Sequence, residues 1–285
     1  MLNDTTIHKP VLEKKSNGGF RVAAIQMASG PSVSANLEEA LRLIEDATSE
    51  GAKLVVLPEY FCIMGMRDAD KLAVMEKSGQ GQIQSFLSET AKRLGIWLVG
   101  GSVPLESPDP NKVYNSCLVY ADDGQLAARY DKIHLFGMKL RLERYAEEKT
   151  IKAGDKVVTV DSPFGRIGLS ICYDLRFPEL YRMMENVDII LAPAAFTAIT
   201  GKAHWEVLVR ARAIENLAYV IAPAQGGYHV NGRETNGDSM IVDPWGVVMN
   251  RMPRGSGAVV ATLDPEYQAS LRANLPALDH RSLQK

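Results

Sequence analysis

A thiol, a carboxylate and an ammonium stand at three points of this sequence where strands should end. Cys172 follows the apolar run Arg166-Ile-Gly-Leu-Ser-Ile171 and precedes Pro178-Glu-Leu-Tyr-Arg-Met-Met184, which reads as the first turns of a helix. Ligands collect at the carboxyl ends of strands in open α/β sheets, and a sharp strand-to-helix turn pushes a side chain out while aiming backbone N–H groups at whatever it attacks. Glu59 comes directly after Lys53-Leu-Val-Val-Leu57 and Pro58, and Lys132 ends the returning strand of a hairpin. These three groups suit acyl transfer. A thiol of reference pKa about 8.5 is only a few per cent ionised at neutral pH, so it needs a base to take its proton or a cation to lower its pKa. When sulfur adds to a carbonyl carbon, negative charge appears on oxygen, where Lys132 and the N–H of Tyr173 would receive it as an oxyanion hole.

Each residue also has a plainer reading. A free cysteine is commonly a small buried hydrophobe. Glu59 would avoid the cost of burial by turning to solvent, and Lys132 would snorkel to water past Ile133, Leu135 and Phe136. A papain-like Cys–His pair with His134 or His204 as base is a rival enzyme, and an interaction protein with idle groups is a rival of another class.

Composition narrows the field. A chain of 285 residues with 46% hydrophobic content can bury a full-sized core. Its 32 basic and 34 acidic residues leave a net charge of -2 with no basic block, so nucleic acid is not an expected partner. No apolar run approaches the roughly 18 residues of a bilayer span and the amino terminus lacks the apolar core of a secretion signal, which points to a cytoplasmic protein with no membrane partner. The three cysteines, Cys62, Cys117 and Cys172, fit neither a disulfide framework nor a C-x-x-C metal pair, and the five histidines are scattered. Neither metal nor cofactor is expected.

Residues 1–19 show no periodicity and read as a flexible arm, with the folded domain proper over 20–285. Arg21 to Met27 reads as a buried strand, Asn36 with Glu39 as a capping box opening a helix, and Lys53 to Leu57 as a strand parallel to the first. A helix over Gly81–Leu94, a strand over Ile96–Gly100 and a hairpin over Tyr114–Tyr130 follow. Leu140 to Lys152 is charged, without periodicity, and reads as an ordered loop. Beyond Cys172 the pattern gives a strand at Val187–Leu191, a helix from about His204 to Leu217, strands at Tyr219–Ala222 and Gly257–Leu263, and a hairpin turning on Asp243-Pro-Trp-Gly246. Asp264 should cap a closing helix with Pro265 at its first position. The class is mixed α/β.

Leu57-Pro58-Glu59, Tyr130-Asp131-Lys132-Ile133-His134 and Ile171-Cys172-Tyr173-Asp174-Leu175-Arg176-Phe177-Pro178-Glu179 resemble, in order, the three motifs of the nitrilase, or carbon–nitrogen hydrolase, superfamily. The resemblance runs from about Arg21 to Leu275. It implies a four-layer αββα sandwich, Glu59 as general base, Lys132 stabilising the tetrahedral intermediate and Cys172 forming a thioester. It also implies a second glutamate after the lysine, best matched by Glu147, with Glu143 and Glu148 as alternatives. Family likeness further implies a homodimer or larger assembly through the helix after Pro178 and the one carrying Arg210, Arg212 and Glu215. The stretches Phe196-Thr-Ala-Ile-Thr-Gly-Lys-Ala-His-Trp, Ala224-Gln-Gly-Gly227 and Leu275-Pro-Ala-Leu-Asp-His-Arg281 are similar to the branch of amidases that act on deaminated glutathione and on ω-amides of 2-oxo acids. The implied substrate is a small carboxylate-bearing amide whose cleavage releases ammonia; nitriles and N-carbamoyl amino acids need the same triad. Arg176 is a candidate anchor for the substrate carboxylate, because a guanidinium grips carboxylate in a bidentate fork, unless an ion pair with Glu179 occupies it. Phe196 and Thr197 are candidates for the same pocket, the former with a core role as its alternative.

Overall fold

The computed structural model describes residues 18–140 and 143–283, so the arm expected over 1–19 lies almost entirely outside the described residues. The first half of the chain gives β1 (Phe20–Gln26), α1 (Val33–Ser49), β2 (Leu54–Val56), α2 (Asp70–Ala73) and α3 (Gln82–Leu94), then β3 (Trp97–Val99), β4 (Val103–Glu106), β5 (Val113–Tyr120) and β6 (Leu126–Asp131). A small hairpin of β7 (Gly137–Leu140) and β8 (Glu143–Ala146) leads into the second half. There β9 (Thr159–Ser162), β10 (Gly165–Leu169), α4 (Pro178–Met183), β11 (Ile189–Leu191), α5 (Ala198–Asn216) and β12 (Tyr219–Ala222) succeed one another. The chain ends through β13 (Gly226–Tyr228), β14 (Glu234–Asn236), β15 (Ser239–Val242), β16 (Val248–Met252), β17 (Gly257–Leu263) and α6 (Pro265–Asn274).

Two sheets result. One has the order β17-β1-β2-β3-β5-β4 with β6 beside β5, and the other β16-β15-β12-β11-β10-β9. Each is parallel at its heart, through β1, β2 and β3 in the first and β10, β11 and β12 in the second, and antiparallel outside it. Side chains alternate across a strand, and here the alternation sorts them into two cores. Val22, Ala24, Leu54, Val56, Trp97 and Val99 meet Ile167, Leu169, Ile189 and Ile221 between the sheets. Ala23, Ile25, Val55 and Leu98 face outward onto Leu43 and Ile44 of α1 and Leu87 of α3. Helix α5 covers the other sheet, with Trp205, Val209 and Ala213 buried. The layers are therefore helix, sheet, sheet, helix. Strands covered on both faces read as unbroken apolar runs rather than alternating ones, which is why β1 and β2 looked like buried strands in the sequence.

Three local expectations need correction. Ser32, not Asn36, caps α1, its hydroxyl accepting from the Ala35 N–H. Asn36 lies inside the helix, buried, and ties Gly30 and the Cys62 carbonyl together. Helix α5 begins at Ala198 rather than near His204, because Thr197 caps it. Gly201 weakened that helix's sequence signal for a packing reason, since a Cβ there would lie 2.3 Å from the Cβ of Asn236 on β14. The stretch after Leu140, expected to be a loop, holds β8 and a short 3-10 turn at Glu147–Lys149.

Candidate active site

The first sheet presents Glu59 one step beyond β2. Leu57 still pairs with Val99, and then Pro58 ends the ladder. Tyr60 takes a left-handed conformation (φ 58°) and gives its N–H to the Ser102 hydroxyl, while Gln225 donates to the Glu59 carbonyl. The turn bearing Ser102 comes so close that a Cβ on Gly101 would sit 2.1 Å from the Pro58 carbonyl oxygen, so only glycine fits there. The Glu59 side chain, only 1% exposed, is thereby fixed inside the molecule rather than turned to solvent.

Lys132 follows β6 and is held by its N–H on the Asn115 carbonyl and its own carbonyl on the Gly154 N–H. Its side chain is 0% exposed. The ammonium lies 2.8 Å from Glu59 Oε1 and bridges both oxygens of Glu147, at 2.8 and 3.1 Å. Asn115 donates to Glu59 Oε1 at 3.0 Å, so both bonds end on one oxygen and Oε2 is not tied by them. Glu147 accepts in addition from the Tyr60 hydroxyl at 2.8 Å and the Phe136 N–H at 2.7 Å. Of the three glutamates considered, Glu147 is the one that reaches the lysine; Glu148 is exposed, and the side chain of Glu143 lies outside the described residues. Burial pulls the Lys132 pKa down, but Glu147 and Glu59 outweigh it and hold the ammonium well above its ordinary range. Burial likewise pushes Glu147 up, and Lys132, with the Phe136 N–H and the Tyr60 hydroxyl, holds it below its usual value.

Cys172 lies three residues past Leu169, the last residue of β10, in a left-handed conformation (φ 51°), opening a 3-10 turn over Cys172–Arg176 that runs into α4. Its N–H is spent on the Pro193 carbonyl; the next, that of Tyr173, has no acceptor among the described residues. Asp174 fixes the elbow. This buried carboxylate accepts from the Ile171 N–H, the Tyr130 hydroxyl, and both the backbone N–H and ring Nδ1 of His134. His134 also stacks on Phe177 with centroids 3.7 Å apart, and His204 faces Arg176, so neither histidine is placed as a partner of the sulfur. Burial pushes the Cys172 thiol well up and the neighbouring Glu59 carboxylate adds to this, against the pull of Lys132. The site thus favours the protonated sulfur, beside a carboxylate.

Glu59, Glu147, Cys172, Tyr173, Arg176, Phe196, Thr197 and Arg233 line one narrow cavity. Arg176 spans the rings of Tyr173 and Phe196 and meets His204 Nδ1 at 3.3 Å; no ion pair joins it to Glu179 among the described residues. Phe196 serves the core as well, edge-on to Trp205. Thr197 is fully buried and caps α5. Arg212 is no solvated interface charge: it bonds the Leu175 carbonyl and Glu215 within the subunit. Sequence reasoning missed Asn115, Tyr60 and Arg233. A polar side chain within the apolar run of β5 was a usable signal for Asn115, since burying an amide is costly without a partner. Among the described residues no group of three or more His, Cys, Asp or Glu is arranged to hold a metal ion.

Alkylation separates the cysteines. Cys62 and Cys117 are fully buried, and burial pushes Cys117 up to about 12 and Cys62 further. Cys172 alone lines the cavity beside a carboxylate, so iodoacetamide should label it first, as read by peptide mass mapping. Earlier labelling of Cys62 or Cys117 would contradict this site.

The family profile described as carbon-nitrogen hydrolase matches residues 21–273. Over 268 residues the sequence is 42% identical to a deaminated glutathione amidase from Synechocystis sp., covering 92% of this chain and 98% of that protein. It is 35% identical over 260 residues to omega-amidase NIT2-B of Xenopus laevis, covering 90% of this chain and 93% of that one. The crystal structure of the C. elegans NitFhit protein superposes with a TM-score of 0.87 at 37% identity over 93% of this chain, which spans 65% of that longer one. With both its sandwich of sheets and its full-length sequence likeness accounted for, this chain belongs to the carbon–nitrogen hydrolase family.

Proposed function

We propose that the chain is an amidase in which Cys172 is the nucleophile, Glu59 the general base and Lys132 with the Tyr173 N–H the oxyanion hole. The observation that carries this is the buried cluster of Glu59, Lys132 and Glu147 set against a thiol on a left-handed elbow. Glu59 takes the proton from sulfur as sulfur adds to the amide carbon, and the oxyanion meets the ammonium that Glu147 holds in place and charged. Collapse breaks the C–N bond while Glu59 returns the proton to the departing nitrogen. Water then attacks the thioester, giving its proton to Glu59, and C–S cleavage restores acid and thiol.

The similar proteins named for deaminated glutathione and for ω-amides support a substrate whose acyl part bears its own carboxylate, received by Arg176 over Phe196 and Thr197. Their chemistries differ in the leaving group. A primary ω-amide releases ammonia, as expected from the sequence, whereas deaminated glutathione, a γ-linked tripeptide without its amino group, has no primary carboxamide and must release an amine. We place the enzyme in the cytoplasm, which three free thiols support. We also propose a homodimer, supported by the exposed Met183 on α4 and Val207 and Ile214 on α5.

Release of amine or ammonia from deaminated glutathione, α-ketoglutaramate, a simple nitrile and an N-carbamoyl amino acid tests the substrate class: one of the first two should lead. Glu59→Gln keeps an acceptor for Asn115 and Lys132 but removes the base, and should lower kcat by about 10²–10⁴-fold. Full activity in that variant would exclude the carboxylate as base and reopen the Cys–His alternative.

A further inference from the structure

A second chamber adjoins the catalytic cavity, and Phe136, Glu147 and Arg233 line both. Tyr60, Met64, Arg67, Asp68, Lys71 and Asn231 complete most of its wall. Its charges are uneven. Glu147 is committed to Lys132, and Arg67 pairs with Asp70. Arg233 donates to the Ala195 carbonyl at 3.0 Å and faces the Met64 sulfur at 3.8 Å, with its guanidinium over the Tyr145 ring. Its Nε is buried without a hydrogen-bond partner among the described residues. Lys71 lies over the Tyr60 ring and reaches the Thr150 hydroxyl at 3.4 Å. Neither cation has a carboxylate in salt-bridge contact among the described residues; Asp68 stands on the same wall. A guanidinium offers five donors in a planar fork; Arg233 is half-buried, and leaving its buried Nε–H unmet is costly unless a ligand takes it. Burial also pushes the Lys71 ammonium below its ordinary range, so an incoming anion would relieve it.

We infer that this chamber holds the leaving-group half of the substrate, and that Arg233 and Lys71 receive a carboxylate carried on the amide nitrogen's substituent. The preferred class is then an amide of an amino acid or short peptide with a free carboxyl end, rather than a primary carboxamide. Arg176 and Arg233 divide the work: the first serves the acyl half inside the smaller cavity, and the second stands where that cavity opens into the chamber. The inference rests on the amidase reading above.

Three substrates with the same 2-oxoglutaryl acyl group isolate the leaving group: deaminated glutathione, its glycyl methyl ester and α-ketoglutaramate. All give one acyl-enzyme, so differences in kcat/KM arise before the amine departs. The wild type should prefer the free acid over its methyl ester by about 10-fold or more, mainly through KM. Lys71→Met and Arg233→Met should each collapse that ratio towards one, a readout that general structural damage would not move selectively. An unchanged ratio in both variants, or a wild type indifferent to esterification, overturns the proposal. So does a wild type that cleaves α-ketoglutaramate but neither tripeptide, which would leave the amidase reading standing. If all three are inert, the amidase reading fails and takes this inference with it.

Discussion

Replacing Cys172 by alanine is expected to abolish amide hydrolysis, by a factor on the order of 10⁴ or more, while the protein stays folded. The kinetic half follows from covalent chemistry, because no other thiol lines the cavity and water alone would have to attack the amide. The structural half follows from what the sulfur touches. The elbow is held by the Cys172 N–H on Pro193 and by the four bonds to Asp174, none of which uses the Cys172 side chain. Alanine pays the same backbone cost at φ 51° as cysteine does, so the left-handed turn is not further strained. Loss of one small buried side chain that borders a cavity should cost about 1 kcal/mol. Turnover assays beside a thermal melt check both halves. Retained turnover would remove the nucleophile from the mechanism, and an unfolded variant would make Cys172 a packing residue.

The elements that lie close in sequence were legible because their signals are local. β12, β17 and the Asp264–Pro265 cap of α6 fall where the residue patterns put them, and β1, α1 and β2 form the parallel unit that their order implies. Signals failed where partners are distant. Asn36 satisfies the local rule for a cap, yet its amide is claimed by Gly30 and Cys62, and nothing within four residues announces Cys62. The pairing of β17 with β1 joins the two ends of the fold, a choice that alternation within either strand cannot express. Strands of four residues such as β7 and β8 are too short for a period to show, so their hairpin read as a charged loop. The candidate site divides in the same way. Glu59, Lys132 and Cys172 were visible as reactive types at strand ends, whereas Glu147 came from family likeness and Arg233 from neither. Arg233 sits in the polar stretch between β13 and β14, where an arginine is ordinarily a solvated charge.

Lys132→Met should be the most damaging change to the fold and to catalysis together. It removes the one cation in salt-bridge contact with both Glu59 and Glu147, leaving two buried carboxylates with hydrogen bonds and only the more distant charges of Arg233 and Lys71. Breaking a buried ion pair from one side costs about 3–5 kcal/mol. Loss of the oxyanion donor should lower kcat by a further factor of about 10²–10³ in whatever fraction remains folded. The penalty has a sign in pH that identifies its cause. In the wild type the Glu147 pKa is depressed, so its contribution is present above the unfolded carboxylate value, about 4.3, and is lost as pH falls through the folded value. Without Lys132, burial is the largest influence left on Glu147, and its folded pKa should rise above the unfolded one. The folded variant then binds more protons than the unfolded chain above about pH 4.3, and its stability falls with rising pH where the wild type's does not. The difference in Tm between the two proteins should therefore be wide at pH 7 and narrow towards pH 4. A constant difference across that range would mean that methionine harms the fold by shape rather than by stranding charge, and that the cluster is not held together electrostatically.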